Sequence, residues 1–171
     1  ARKIGDTLDR KMSKDIIVIL PSSLTESKII PVKNKSDKES KKILYKQRRN
    51  FGKSNPLTHE VRSTLLGTRE EQGDTVSYYL ITSITKGAIC ELYEAFDSYK
   101  IEITRIVGVQ FGQVCLSLLF SEDYDNINRI LVDFRNTESR IMVFADRVAV
   151  YSRTIPIGFQ SYVKKLFDAD N

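Results

Sequence analysis

Few side chains in this chain are of a type and spacing that could carry chemistry. His59 is the single histidine and the one imidazole able to act as a general base. No serine or cysteine nucleophile stands beside it in a recognisable setting, and a lone histidine in an extended segment is usually structural. Cys90 and Cys115 have no paired ligand spacing. With one histidine available, a zinc site is not expected. Both cysteines lie among apolar neighbours at helical spacing and are expected as small buried hydrophobes. Phe51-Gly52-Lys53-Ser54 matches the end of a phosphate-binding loop, but that pattern needs glycine where Gln47 stands and a strand where a helix is expected. Tyr78-Tyr79 offers two rings of the kind that stack bases on RNA-binding sheets. The flanking glycine–aromatic signature is missing, so one ring is expected to pack inward and the other to face solvent. From Lys28 to Lys53, ten Lys or Arg stand against Asp37 and Glu39, a net charge of +8 in a chain of net +5. Such a patch attracts phosphates, nucleic acid or an anionic membrane surface, although a solvated helix face is the plainer reading. Lys41, Lys42, Lys46, Arg48 and Arg49 are its candidate interaction residues.

The elements that must position these groups follow from composition and period. The chain has 171 residues, 41% hydrophobic and 29% charged, which suits a soluble globular protein of one large or two small domains. No apolar run reaches the roughly 20 residues of a membrane-spanning helix. The first residues lack the apolar centre of a signal peptide, so a cytoplasmic location is expected. Ile16 to Leu20 is β-branched, short and bounded by Pro21, the pattern of a buried strand. Ser27 to Val32 reads as a second extended segment. Asp37 to Phe51 follows Ser36, a good N-cap, and reads as a helix with a basic outer face. Thr58 to Gly67 and Thr75 to Ile84 read as strands joined by a polar hairpin loop, Glu70 to Asp74. Ala88, Ile89, Leu92, Ala95, Phe96 and Tyr99 mark an amphipathic helix. Ile101 to Val109 alternates like a strand, and Phe111 to Leu119 marks another helix. Arg129 to Phe134, Arg140 to Ala145 and Val148 to Ile155 read as a meander of three strands with a tight turn at Asp146-Arg147. A helix beginning at Ser161 soon reaches the last residue, as in part of a longer domain or a degenerate homologue.

The segment Ile130 to Gly158, ILVDFRNTESRIMVFADRVAVYSRTIPIG, has a specific layout. One strand ends in Asp133, a polar loop runs through Arg135-Asn136-Thr137-Glu138-Ser139, and two strands lead to Ile157-Gly158. This layout resembles the second phosphate loop of the actin-like ATPase superfamily. Upstream, KDIIVILPSS, an extended segment, a helix, two strands and an amphipathic helix resemble the inserted subdomain of the branch that contains the type IV pilus assembly protein and the cell-division actin homologue. The resemblance covers nearly the whole chain and rests on the order of its parts more than on any one motif. YSRTIPIG fits this branch better than the chaperone or sugar-kinase branches. The fold it implies is α+β (α/β). Residues 1–105 would form a strand–helix–strand–strand subdomain with its flank, and residues 106–171 the first part of an actin-like, ribonuclease H-like domain.

Carried over residue by residue, Asp133 would hold a metal-bound water, while Asn136, Thr137 and Ser139 would face nucleotide phosphates. Complete relatives use ATP and magnesium. Three departures at glycine positions weaken that implication here. Arg135 stands where backbone must approach phosphate closely. Arg147 occupies a turn position where left-handed geometry costs a non-glycine residue about 1–2 kcal/mol. Phe159 replaces a second glycine, and Glu138 would repel phosphate. The family's first phosphate loop and adenosine-binding part have no counterpart in this sequence, so no complete ATP site, no cofactor of its own and no catalysis are expected. The resemblance implies a cytoplasmic scaffold of type IV pilus or secretion machinery assembly, peripheral at the inner membrane. It would dock a membrane component through Lys14 to Lys100, with self-association also open. Alternatives are a division protein recruiting a tubulin-like ring, an ATPase, or a nucleic-acid binder using the basic segment.

Overall fold

The computed structural model describes residues 16–33, 36–51, 55, 57–119 and 128–169. Among the described residues, eight strands and four helices follow in the order β1 (Ile16–Leu20), β2 (Thr25–Lys33), α1 (Asp37–Arg49), β3 (His59–Glu71), β4 (Asp74–Thr85), α2 (Lys86–Asp97), β5 (Ile103–Gly108), α3 (Val109–Leu119), β6 (Arg129–Phe134), β7 (Ser139–Ala145), β8 (Val148–Ile155) and α4 (Phe159–Ala169). They form three sheets, β1–β5, β2–β4–β3 and β6–β7–β8. The fold is mixed α/β, as the sequence implies.

Two compact units result. One draws on Ala1–Ser27, Leu44–Ser63 and Ile81–Cys115, the other on Lys28–Ile43, Thr64–Leu80 and Leu116–Asn171. In the first unit β1 and β5 run parallel, with Ile16 opposite Ile103 and Leu20 opposite Gly108. β1 is not buried throughout, as its apolar run suggests. Leu20 is buried, whereas Ile17 and Ile19 are more than half exposed, because each face of a two-stranded sheet holds alternate side chains. The buried residues of this unit include Ile81, Ile84, Ile103 and Val114.

Local chemistry sets the helix starts. The Ser36 hydroxyl accepts a hydrogen bond from the Glu39 amide at 3.2 Å, the N-cap that SDKE predicts. Thr85 caps α2 in the same way, accepting from Ala88. α2 ends at Asp97, earlier than its apolar spacing suggests. Lys100 adopts φ 57°, and its amide returns to the Asp97 carbonyl while that of Ile101 reaches Phe96. Tyr99 therefore lies beyond the helix and is exposed. Cys90, expected to be buried, is exposed on α2, and Cys115 is only partly covered on α3. Tyr78 packs inward and Tyr79 is half-buried, both on β4. β4 is hydrogen-bonded along both edges, and residues of both its faces are buried, Val76, Tyr78, Leu80 and Ile84 on one and Ser77, Ile81 and Ser83 on the other.

The second unit holds the antiparallel meander β6–β7–β8. Its turn at Asp146-Arg147 has positive φ at both residues, 47° and 65°, as a type I′ hairpin demands. Arg69 holds that turn by an ion pair to Asp146, 2.8 Å from Nη2. The same guanidinium reaches Glu71 at 3.0 Å. Gly67 lies beneath the hairpin, where an added Cβ would come within 2.7 Å of a Val148 methyl group.

Candidate phosphate-loop site

Strand register brings the loop residues together. In the β6–β7 pair, Asp133 lies opposite Arg140 and Phe134 opposite Ser139. Residues 135–138 therefore close a short connection, in which the Arg135 amide donates to the Glu138 carbonyl at 3.0 Å. Strand alternation turns Arg140, Met142 and Phe144 to the buried face of β7. That places a charged side chain, only 1% exposed, in a row of core residues.

The charges in this cluster satisfy one another. Arg135 Nε donates to Asp133 Oδ2 at 2.7 Å. Arg140 Nη2 pairs with Glu138 Oε1 at 3.2 Å, and its Nε reaches the Thr154 hydroxyl at 3.4 Å. Thr154 is the β8 residue in register with Arg140. Burial pulls the Arg140 guanidinium below the ordinary arginine value and the nearby Arg135 charge adds to this, while Glu138 and Asp133 act in the opposite direction. Two guanidinium groups thus balance two carboxylates, which is how a buried charge remains tolerable.

Ser139 and the start of α4 are also engaged. Ser139 donates its hydroxyl to the Ile157 carbonyl at 2.6 Å. The first amides of α4 turn back onto the loop, Phe159 to the Arg135 carbonyl at 2.8 Å and Gln160 to the Asn136 carbonyl at 2.9 Å. Gly158 makes this closure possible, because a Cβ there would lie 2.5 Å from the Arg135 carbonyl oxygen. Asn136 and Thr137 are exposed at the tip. A hydrated magnesium ion prefers a carboxylate with its oxygens open to metal-bound water. At Asp133 one of those oxygens, Oδ2, already accepts from Arg135.

The other sequence candidates lie elsewhere. Lys41, Lys42, Lys46 and Arg49 are exposed on α1. Arg48 turns inward, its Nε donating to the Val61 carbonyl at 3.0 Å. His59 shares a 2.9 Å hydrogen bond with the Thr58 hydroxyl. The Gly52-Lys53-Ser54 run lies outside the described residues. Among the described residues no group of three or more His, Cys, Asp or Glu could hold a metal ion, and no helix is long and apolar enough to cross a membrane. Sequence reasoning missed Arg140. The signal was its period-two spacing from Met142 and Phe144, which puts it on the apolar face of β7.

No protein-family model matches the sequence, and no curated protein matches it significantly. Solved structures do match. A chain of the PilM–PilN type IV pilus biogenesis complex superposes with a TM-score of 0.68 at 10% identity, over 98% of this chain and 51% of that one. A Bacteroides thetaiotaomicron protein of actin-like ATPase fold and unknown function superposes with a TM-score of 0.52 at 13% identity, over 98% of this chain and 59% of that one. This chain thus spans between half and three-fifths of their length, and what the likeness establishes is an actin-like fold.

Proposed function

We propose that this chain is an actin-like scaffold of type IV pilus or secretion machinery assembly that docks an inner-membrane partner and works without a complete ATP site. Its inserted subdomain with flank, residues 1–105, carries the docking surface within Lys14 to Lys100, and residues 106–171 begin the second actin-like half. Likeness to a chain of a pilus biogenesis complex supports the assembly role. The observation that carries the non-enzymatic reading is the closed loop. Asp133 is paired with Arg135, Ser139 donates to a carbonyl, and the amides of Phe159 and Gln160 are bonded to the loop itself. None of these groups is set to receive phosphate.

The test has two arms. Titration with a fluorescent ATP analogue in magnesium is expected to give no saturable binding. Capture from detergent-solubilised membranes of the source cells is expected to recover a pilus or secretion component, equally well with Asp133→Ala. Stoichiometric Mg·ATP binding would show the loop to be a working site. Loss of capture by a folded Asp133→Ala chain would mean that the docking surface has been misplaced.

A further inference from the structure

We propose that α1 presents a lipid-facing surface that holds this protein electrostatically against an anionic bilayer. The inner side of the helix is fixed. Ser40 is buried, Leu44 and Arg48 are half-buried, and the Arg48 bond to the Val61 carbonyl sets the helix rotation. On the side away from the buried Ser40, Lys38, Lys41, Lys42, Lys46 and Arg49 are all exposed, Lys41 standing next to Arg48 at helical spacing. Among them Tyr45 is 65% exposed. At 3.6 residues per turn these six positions fall within an arc of about 140°. No acidic position of the helix falls inside that arc, and Glu39 lies at its edge. The face is therefore uniformly cationic around one amphipathic ring.

That pattern fits a lipid surface better than a nucleic acid. Four of the five cations are lysines, compact charges on flexible stems that follow a fluid layer of headgroups, whereas readers of base edges rely on planar forks such as arginine, asparagine or glutamine. Binding of single strands uses a grooved path with several stacking rings, but this face is a convex helix with one. Tyrosine is at home at headgroup level, with its ring toward acyl chains and its hydroxyl in water. A cluster of four to eight Lys or Arg on a helix is the usual composition of a surface for anionic lipids. The inference does not depend on the pilus reading or on the state of the phosphate loop.

Sedimentation with vesicles of phosphatidylcholine, alone or mixed with phosphatidylglycerol, tests it on the full chain. Binding is expected only to the mixed vesicles and should weaken as salt rises. Lys42→Ala/Lys46→Ala should lower the partition coefficient about 25-fold, about fivefold for each cation removed. Lys42→Arg/Lys46→Arg should retain it, and Tyr45→Ala should lower it at unchanged net charge. Both lysines are exposed, so far-UV circular dichroism should match the parent chain in every variant. The proposal is overturned if the folded chain ignores anionic vesicles or binds neutral ones equally well. It also fails if the alanine pair changes nothing, or if random-sequence duplex DNA or RNA competes the chain off the vesicles at equal phosphate.

Discussion

Arg140 shows how one side chain can decide what a loop does. Its guanidinium lies in the core row of β7, where the Glu138 carboxylate, the Thr154 hydroxyl and the facing Asp133 help to make it tolerable. Arg140→Ala should cost about 2–4 kcal/mol, because it opens a cavity and removes the cation paired with Glu138. Arg140→Met fills the space without the charge and should cost less than about 1.5 kcal/mol. Urea unfolding at neutral pH separates the two, and equal losses would mean that charge balance outweighs volume at this site. Tyr78 makes the second residue-scale case. Its hydroxyl donates to Glu71 at 2.5 Å. Burial raises its pKa above 10, and Glu71 raises it further. The folded phenol thus holds its proton more tightly than the unfolded one, so its stabilisation is complete below about pH 10 and is lost as pH climbs toward the folded value. Thermal melts across the alkaline range should show that loss. Tyr78→Phe should flatten it, while lowering neutral stability by about 1 kcal/mol.

At the scale of elements, the turn between β3 and β4 holds two residues that suit its geometry unequally. Gln72-Gly73 joins β3 to β4 with φ of 52° and 84°, and Gly73 meets that demand without strain. Gln72 meets it poorly, because a long side chain in the left-handed region is disfavoured, whereas asparagine visits it readily. Gln72→Asn creates the favoured Asn-Gly pair and should raise stability by about 0.5–1 kcal/mol, seen as a small rise in Tm. Most elements were legible from period and caps. β6 and β8 have the bounds their apolar runs suggested, and α1 starts at its Ser36 cap. The end of α2 was less legible, because it depends on a left-handed residue at Lys100 that apolar spacing does not record.

On the scale of the molecule, one face of the meander carries exposed apolar side chains. Ile130 is 69% exposed and Val132 56%, with Phe134 and Tyr151 about half exposed. Phe134 meets the Tyr162 ring of α4, centroids 5.5 Å apart, and β6 is an edge strand. Apolar area on this scale invites association. Val132→Lys should therefore reduce dye binding to exposed apolar surface and shift sedimentation toward the monomer, with little change in stability, because the position faces outward. Unchanged sedimentation in a chain that self-associates would place the contact elsewhere.

By itself the sequence determined the elements and their order, while the actin-like arrangement came from a resemblance in that order. Hydrophobic period, caps and turn residues act over a few neighbouring positions and are written in the chain. It also located the loop from Asp133 to Ser139. Tertiary structure alone decided what that loop's groups are doing. Whether Asp133 stands open or paired with Arg135, whether Ser139 offers its proton outward or to Ile157, and whether Arg48 joins the basic face or turns to Val61 all depend on partners brought close by folding. A hydrogen bond or ion pair is settled within about 3 Å, and residue spacing along the chain does not specify distances of that kind.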